Sequence, residues 1–291
     1  MRFGLLSKIA ALFGQYEFFS LFEPDILHCN DWQAGLTPAF LHFGRHPHAK
    51  TLMNVHNLAH QGVFGPEVVH TLDLPPESFS MFGLEYYGLM SFLKSGLYYA
   101  DWISTVSPTY AKEIQTPTFG YGLYDLLAHS EKRLTGILNG INIKDWNPEA
   151  DSYISTPYNH TTAGLNNKSP NTLALRKRCK LDSTKTSTRP LIGMITRLTH
   201  QKGFDLLIPV IPKIIEEGAQ LVLLGSGDKE LEARLQAIAT AMPESVSVTL
   251  GYDEEFSHQI EAGADIFLMP SRFEPCGLNQ MYSMRYGTIP V

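Results

Sequence analysis

A chain of 291 residues that is 44% hydrophobic and 18% charged is long enough for two domains and apolar enough to fold by burial, which excludes a disordered protein. Its net charge of −6 argues against a general binder of nucleic acid or anionic membrane, because such binding draws its energy from concentrated positive charge. No stretch approaches the roughly 20 consecutive apolar residues that a membrane span needs.

The opening "MRFGLLSKIAALFGQYEFFS" has a basic start and an apolar continuation, but Lys8 interrupts it and no small-residue cleavage site follows, so a secretory leader is disfavoured. Phe3, Leu6, Ile9, Ala10 and Phe13 recur at helical spacing and predict an amphipathic helix. Beyond it, "PDILHC", "AKTLMNVHN" and "DWISTVS" read as strands, with "AGLTPAFLHF" and "SFLKSGLYYA" as the helices between them. Alternation of this kind predicts an α/β fold with a parallel sheet covered on both faces.

Between residues 151 and 188 the composition turns rich in Ser, Thr and Asn around one short basic helix, "TLALRKRCK", and predicts a linker region. A second series then follows: strands "PLIGMIT", "AQLVLLG", "VSVTLGY" and "ADIFLMP", with "GFDLLIPVIPKIIEEG", "DKELEARLQAIATAM", "EEFSHQIEAG" and "GLNQMYSMRYG" as helices. With "TIPV" opening a fifth strand, this is a doubly wound sheet, whose ligands bind beyond the carboxyl ends of the strands. The expected division is residues 1–150, a linker at 151–188, and residues 189–291. The three cysteines, Cys29, Cys179 and Cys276, are odd in number and widely spaced, which suits a reducing, cytoplasmic setting better than a disulfide framework.

Several residues stand just after strands. Arg197 and Lys202 in "TRLTHQKGFD" lie ahead of a helix, where two cations and backbone N–H groups form an anion site, or else a solvated basic loop. Gly225 and Gly227 in "LLGSGDKELE" let a ligand approach the backbone, or make a tight turn. In "SRFEPCGLNQ", Glu274 is placed to hold hydroxyls or face a developing cation, or to cap the helix that Gly277 begins. Cys276 lacks the histidine partner of a nucleophile and reads as a packing or backbone-positioning residue. In the first half, Asp31 follows one strand, and His56 and Asn57 another; a lone histidine there is as readily structural as catalytic. The histidines of "HFGRHPH", His42, His46 and His48, lack the spacing of a zinc motif and read as surface residues.

Taken as a set, "DILHCNDWQAGLTPAFL", "NVHNLAHQGVF", "GLYYADWISTVSPTYAKEI", "GILNGIN", "WNPEAD", "TRLTHQKGFDLL", "LVLLGSGD" and "SRFEPCGLNQMYSMRYGTIPV" resemble the bacterial glycogen synthase and plant starch synthase family, in order and along nearly the whole chain. The resemblance implies a GT-B fold: two Rossmann-like doubly wound domains with the active site in their cleft. It also implies retaining transfer of glucose from ADP-glucose to the non-reducing end of an α-1,4-glucan, without a catalytic metal or other cofactor. By the same resemblance Arg197 and Lys202 neutralise the donor diphosphate, and Glu274 lies beside the donor sugar, which His56 hydrogen-bonds. Asp31, with Asn57, falls on the acceptor side, and Tyr252 packs on the adenine. Gly225, Cys276, Gly277 and Leu278 complete the donor site, the last two through backbone N–H groups. Such enzymes are cytoplasmic in bacteria and plastidial in plants and algae.

The family's leading Lys-x-Gly-Gly loop and its trailing Gly-Gly loop are not in the sequence, so the resemblance implies a fragment incomplete in both domains, with little activity alone. Asn30 stands where the family usually has His, and Asn142 where it usually has Asp. Two other readings compete. Other GT-B transferases, which use UDP-sugars, carry a second Glu eight residues after the first, where this chain has Tyr282. A non-catalytic glucan-binding fragment would hold glucan but no nucleotide.

Overall fold

A computed structural model describes residues 1–15, 22–159, 161, 168–184 and 189–291. The expectations for the end of the first apolar stretch, "YEFFSL", and for much of the Ser/Thr/Asn-rich region fall outside the described residues. The chain divides into two compact units, Met1–Asn139 and Gly140–Val291. No helix among the described residues is long and apolar enough to cross a membrane.

In the first unit the strands are β1 (Ile26–Asn30), β2 (Lys50–Val55), β3 (Val63–Phe64), β4 (Glu85–Tyr86), β5 (Leu89–Ser91), β6 (Trp102–Thr105) and β7 (Leu134–Gly136). A parallel sheet runs β1-β2-β6-β7, and β3-β5-β4 form a small antiparallel sheet. Helices Thr37–His42 and Phe92–Tyr99 fall within the predicted segments. Met53, Val55 and Ile103, which share one face of the sheet, are fully buried, while Ile26 and Trp102 on the opposite face are exposed, so the expected covering of both faces is met on one face only among the described residues.

The first helix, Arg2–Phe13, forms as expected, but the stripe it buries is different. Gly4, Ser7 and Ala11 are buried, while Leu5, Leu6 and Ile9 are exposed. Small residues win because the helix packs closely: a Cβ at Gly4 would come within 2.6 Å of the Leu72 side chain. Phe3 joins from the side, edge-on to Trp32 with ring centroids 4.9 Å apart.

The second unit contains β8 (Leu191–Ile195), β9 (Gln220–Gly225), β10 (Val246–Leu250), β11 (Ile266–Phe267) and β12 (Ile289–Pro290), all parallel in the order β10-β9-β8-β11-β12. This is the doubly wound order, and the direction of winding reverses between β8 and β11. Helices Lys229–Ala241, Glu254–Gly263 and Leu278–Arg285 fall where the sequence predicts them. Asp228 and Asp253 cap the first two, accepting hydrogen bonds from first-turn backbone N–H groups. The single helix expected over residues 203–218 is instead broken into Phe204–Leu207, a 3₁₀ turn and Ile211–Glu216. Pro209 and Pro212 cause the break, since each removes a backbone donor and crowds the preceding turn.

The boundary falls ahead of residue 150, and the supposed linker is in large part structural. Asp151 is buried in the second unit, and helix Lys168–Arg178 packs on Glu254–Gly263. Arg176 is fully buried, its Nε donating to Gln220 Oε1 at 2.8 Å. Arg178 pairs with Asp253 and Glu255. Lys168, at the start of this helix, donates to the Ala262 carbonyl and Thr288, so three of its basic side chains are engaged within the second unit.

Candidate active site

Strands β8 and β11 end side by side where the winding reverses, and a pocket of about 200 Å³ opens there. Residues Met194–Arg197 line it from the end of β8, and Phe267–Met269 from β11. Lys202, Ser271, Glu274, Gly277, Leu278 and Asn279 complete the wall. Of the residues singled out in the second half of the sequence, Arg197, Lys202, Glu274, Gly277 and Leu278 thus meet around one cavity.

Lys202 Nζ donates to Glu274 Oε2 at 2.6 Å, and both side chains are largely shielded, 17% and 24% exposed. Ser271 Oγ donates to the same carboxylate oxygen at 3.3 Å. Arg197 is exposed and makes no hydrogen bond or ion pair among the described residues. The pocket therefore carries one cation engaged by the carboxylate and one open to a ligand. Gly277 begins helix Leu278–Arg285 with no side-chain cap, which leaves the first-turn N–H groups available to an anion. Asn279 Nδ2 donates to the Ile195 carbonyl at 2.6 Å and ties this helix start to the end of β8.

The loop bearing Lys202 is held by a glycine that has no substitute. Gly203 sits at φ 72°, and a Cβ there would lie 1.9 Å from the Pro270 carbonyl oxygen. Gly203→Ala is expected to cost about 2 kcal/mol or more in a urea unfolding titration, combining left-handed strain with a backbone clash. A loss below about 0.5 kcal/mol would mean that the loop can shift without consequence.

Other expected donor residues lie elsewhere. Gly225 does not line the pocket; a Cβ there would stand 1.9 Å from the Thr196 carbonyl oxygen, so the glycine serves close packing of two strand ends. Gly227 pairs with Leu198 in a parallel bridge, not in a tight turn, and a Cβ at that position would stand 2.3 Å from the Leu198 carbonyl oxygen. Tyr252, beyond β10, is 86% exposed with its hydroxyl bonded to the Glu254 carboxylate, presenting an open ring outside the pocket lining. Cys276 is a half-buried free thiol in the turn between Glu274 and Gly277.

In the first unit Asp31, His56 and Asn57 come together at the ends of β1 and β2. Asp31 Oδ1 accepts from the His56 backbone N–H at 2.8 Å, and Oδ2 lies 2.9 Å from His56 Nδ1. A carboxylate only accepts, so Nδ1 carries the hydrogen in the neutral ring. Nε2 is then the acceptor, and the Asn54 side-chain amide, 3.2 Å away, donates to it. The same amide donates to Asn30 Oδ1 at 3.2 Å, so Asn30 helps to orient the ring support. Asp31 reaches this position at φ 55°, an unusual backbone for a non-glycine residue. Asn57 Oδ1 accepts from the Ala59 N–H at 3.0 Å and shapes the following turn. His42 and His46 are exposed and His48 is half-buried; among the described residues no group of three His, Cys, Asp or Glu is placed to hold a metal ion.

Two cations, a carboxylate and an open helix start at the winding reversal of a parallel doubly wound sheet form a site suited to a phosphate-bearing ligand. Residues 1–129 match the family model for the starch synthase catalytic domain, and residues 177–291 that for glycosyl transferases group 1. The glycogen synthase of Nitrosomonas eutropha is 54% identical over 290 residues, covering 100% of this chain and 57% of the relative. Glycogen synthase 2 of Bradyrhizobium diazoefficiens is 49% identical over 291 residues, covering 100% of this chain and 59% of that protein. A solved catalytic domain of starch synthase IV from Arabidopsis thaliana, bound to ADP and acarbose, is 35% identical with a TM-score of 0.87, covering 99% of this chain and 59% of that one. Sucrose-phosphate synthase of Thermosynechococcus elongatus, at 19% identity and TM-score 0.55, shares the fold. Over its whole length the chain is similar to glycogen synthases and to a starch synthase, and it spans 57 to 59% of the length of these closer relatives.

Proposed function

We propose that this chain carries the donor pocket and acceptor-side residues of a retaining glucosyltransferase that moves glucose from ADP-glucose to the non-reducing end of an α-1,4-glucan. The observation that carries the reading is the grouping of Arg197, Lys202 and Glu274 around one pocket beside the uncapped helix start at Gly277. Binding of ADP by the starch synthase relative supports it.

Cleavage of the glucosyl–phosphate bond puts negative charge on the diphosphate and positive charge on the sugar carbon. Cations on one side and a carboxylate on the other, placed in advance, stabilise that separation without reorganising as it develops. Arg197 and Lys202, with the N–H groups from Gly277 and Leu278, take the diphosphate, so the reading assigns charge neutralisation to the protein and invokes no metal. As the diphosphate engages Lys202, the Lys202–Glu274 pair is shared, and Glu274 turns its charge toward the glucose. Tyr252 offers its exposed ring to the adenine. Asp31 and Asn57 serve the acceptor side, and Asp31 also fixes the ring of His56, the residue assigned to the donor sugar, by its Nδ1 hydrogen. Attack by the glucan hydroxyl from the face of the departing diphosphate retains configuration. The cysteines described are free thiols, which supports a cytoplasmic setting.

The UDP-sugar alternative is disfavoured at Tyr282, whose ring stacks on Trp146 at 3.8 Å where those enzymes carry a second glutamate. Calorimetric titration with ADP-glucose and with UDP-glucose tests the reading. Lys202→Ala is expected to weaken ADP-glucose binding about 10- to 100-fold, as the loss of a charged contact to phosphate implies. Unchanged affinity removes the diphosphate assignment, and glycogen binding with no nucleotide binding makes the chain a glucan-binding module instead.

A further inference from the structure

The segment "WNPEAD" carries no part of the chemistry above, yet it is fastened to the far end of the pocket helix. Asn142 folds its side chain back, Oδ1 accepting from the Lys144 N–H at 3.0 Å, and its carbonyl accepts from the Trp146 N–H at 2.9 Å. The turn delivers Trp146 between two rings: His258 at 3.9 Å and 13°, and Tyr282 at 3.8 Å and 9°. Five residues on, Asp151 is buried, its Oδ2 accepting from the Tyr286 hydroxyl at 2.5 Å and lying 2.7 Å from His258 Nδ1. Burial opposes the charge of Asp151, but hydrogen bonds from His258 and Tyr286 outweigh it and hold the carboxyl below its usual range. Tyr158 Oη then donates to the Tyr286 carbonyl at 2.8 Å.

Tyr282 and Tyr286 lie in the last turn and cap of helix Leu278–Arg285, whose first turn lines the pocket. At that first turn the Asn279–Ile195 hydrogen bond secures the near end. The far end is secured by residues 146, 151 and 158, which belong to the segment just after the boundary between the two units. An eight-residue helix is too short to hold itself in water, so its placement depends on these contacts.

We propose that Trp146, seated with Asp151, is a positioning residue for the pocket: it clamps helix Leu278–Arg285 so that the N–H groups from Gly277 and Leu278 stay beside Arg197, Lys202 and Glu274. The proposal rests on the reading of that pocket as the donor site. Trp146 does not line the pocket; it acts through Tyr282 and through His258, which shares Asp151 with Tyr286.

The test combines amide hydrogen exchange with ADP-glucose calorimetry on the native chain, Trp146→Ala, Trp146→Phe and Tyr282→Leu. Exchange in residues 279–286 is expected to quicken about tenfold in Trp146→Ala and Tyr282→Leu while β9 stays at the native rate, because only a local opening is released. ADP-glucose affinity is expected to fall about tenfold in Trp146→Ala and to return in Trp146→Phe, which keeps a ring between its neighbours. Native exchange in 279–286, an equal acceleration through the whole unit, or native affinity in Trp146→Ala each overturns the clamp. Should Trp146→Ala not fold, Tyr282→Leu decides on the same measurements. If the native chain binds no ADP-glucose, the donor reading falls, and the exchange rates alone decide whether Trp146 holds the helix.

Discussion

Glu274→Ala is expected to cut glucosyl transfer about 10²–10³-fold while leaving ADP affinity equal to or greater than that of the native protein. The lower figure corresponds to about 2.7 kcal/mol of lost transition-state stabilisation. The two effects part because the proposed donor site gives Glu274 two roles. Before donor binds, its carboxylate holds Lys202 at 2.6 Å, so a diphosphate must share that cation. Alanine leaves Lys202 unengaged, and ADP, which has no sugar to miss the carboxylate, gains. During transfer the carboxylate faces a carbon that is turning positive, and this interaction strengthens only as the bond breaks. Glu274→Gln separates charge from shape: it keeps a hydrogen-bonding side chain and should lose nearly as much turnover as alanine. Steady-state transfer to glycogen together with ADP and ADP-glucose titrations checks this. Equal losses in ADP-glucose affinity and in transfer rate would make Glu274 a ground-state sugar contact instead.

How far the sequence could be read differs between the site and its supports. Lys202 and Glu274 stand 72 residues apart, yet both were legible because each follows a buried strand, and doubly wound sheets gather strand ends at one edge. His56 was legible for the same reason, and Asp31 because it too ends a strand, although β1 is an edge strand in which Cys29 alone is buried. The antiparallel strands β3, β4 and β5 were not, since two or three residues leave no alternation to detect. The first helix misled through the size of its buried residues: Gly4, Ser7 and Ala11 carry little hydrophobic signal, while Leu5, Leu6 and Ile9 carry much and stay exposed. Gly225 looked like a ligand glycine, and only the nearby Thr196 carbonyl shows why no side chain fits. The Trp146 clamp had no local signature, because Asp151 and Tyr286, 135 residues apart, meet only in the folded unit.

Glu261→Met is expected to stabilise the protein by about 1–2 kcal/mol near pH 8, and by less near pH 5. Glu261 is fully buried on helix Glu254–Gly263, and neither carboxyl oxygen has a hydrogen-bond partner among the described residues. Burial raises its affinity for a proton well above the ordinary value of 4.5, against a smaller opposing pull from Lys168. A carboxyl raised in this way holds its proton more tightly folded than unfolded. From pH 4.5 upward the unfolded chain therefore releases that proton first, and stability declines with pH until the folded carboxyl ionises too. The Lys168 amine answers in the opposite sense. Burial presses it down to about 8 from 10.5, despite the pull of Asp265 and Glu261, so it restores stability as pH rises between those two values. Its hydrogen bonds to Ala262 O at 2.7 Å and Thr288 Oγ1 at 2.8 Å do not depend on the Glu261 carboxyl, and methionine leaves them in place. Urea unfolding at half-unit steps from pH 5 to 8 should show the native protein losing stability with pH relative to Glu261→Met. Glu261→Gln, which cannot titrate, should follow the flatter course of Glu261→Met with a smaller gain, because its amide remains buried without a partner. Parallel pH courses for all three proteins, or a less stable Glu261→Met, would show that the carboxyl is satisfied in the folded chain and contributes to holding helix Glu254–Gly263 beneath the pocket helix.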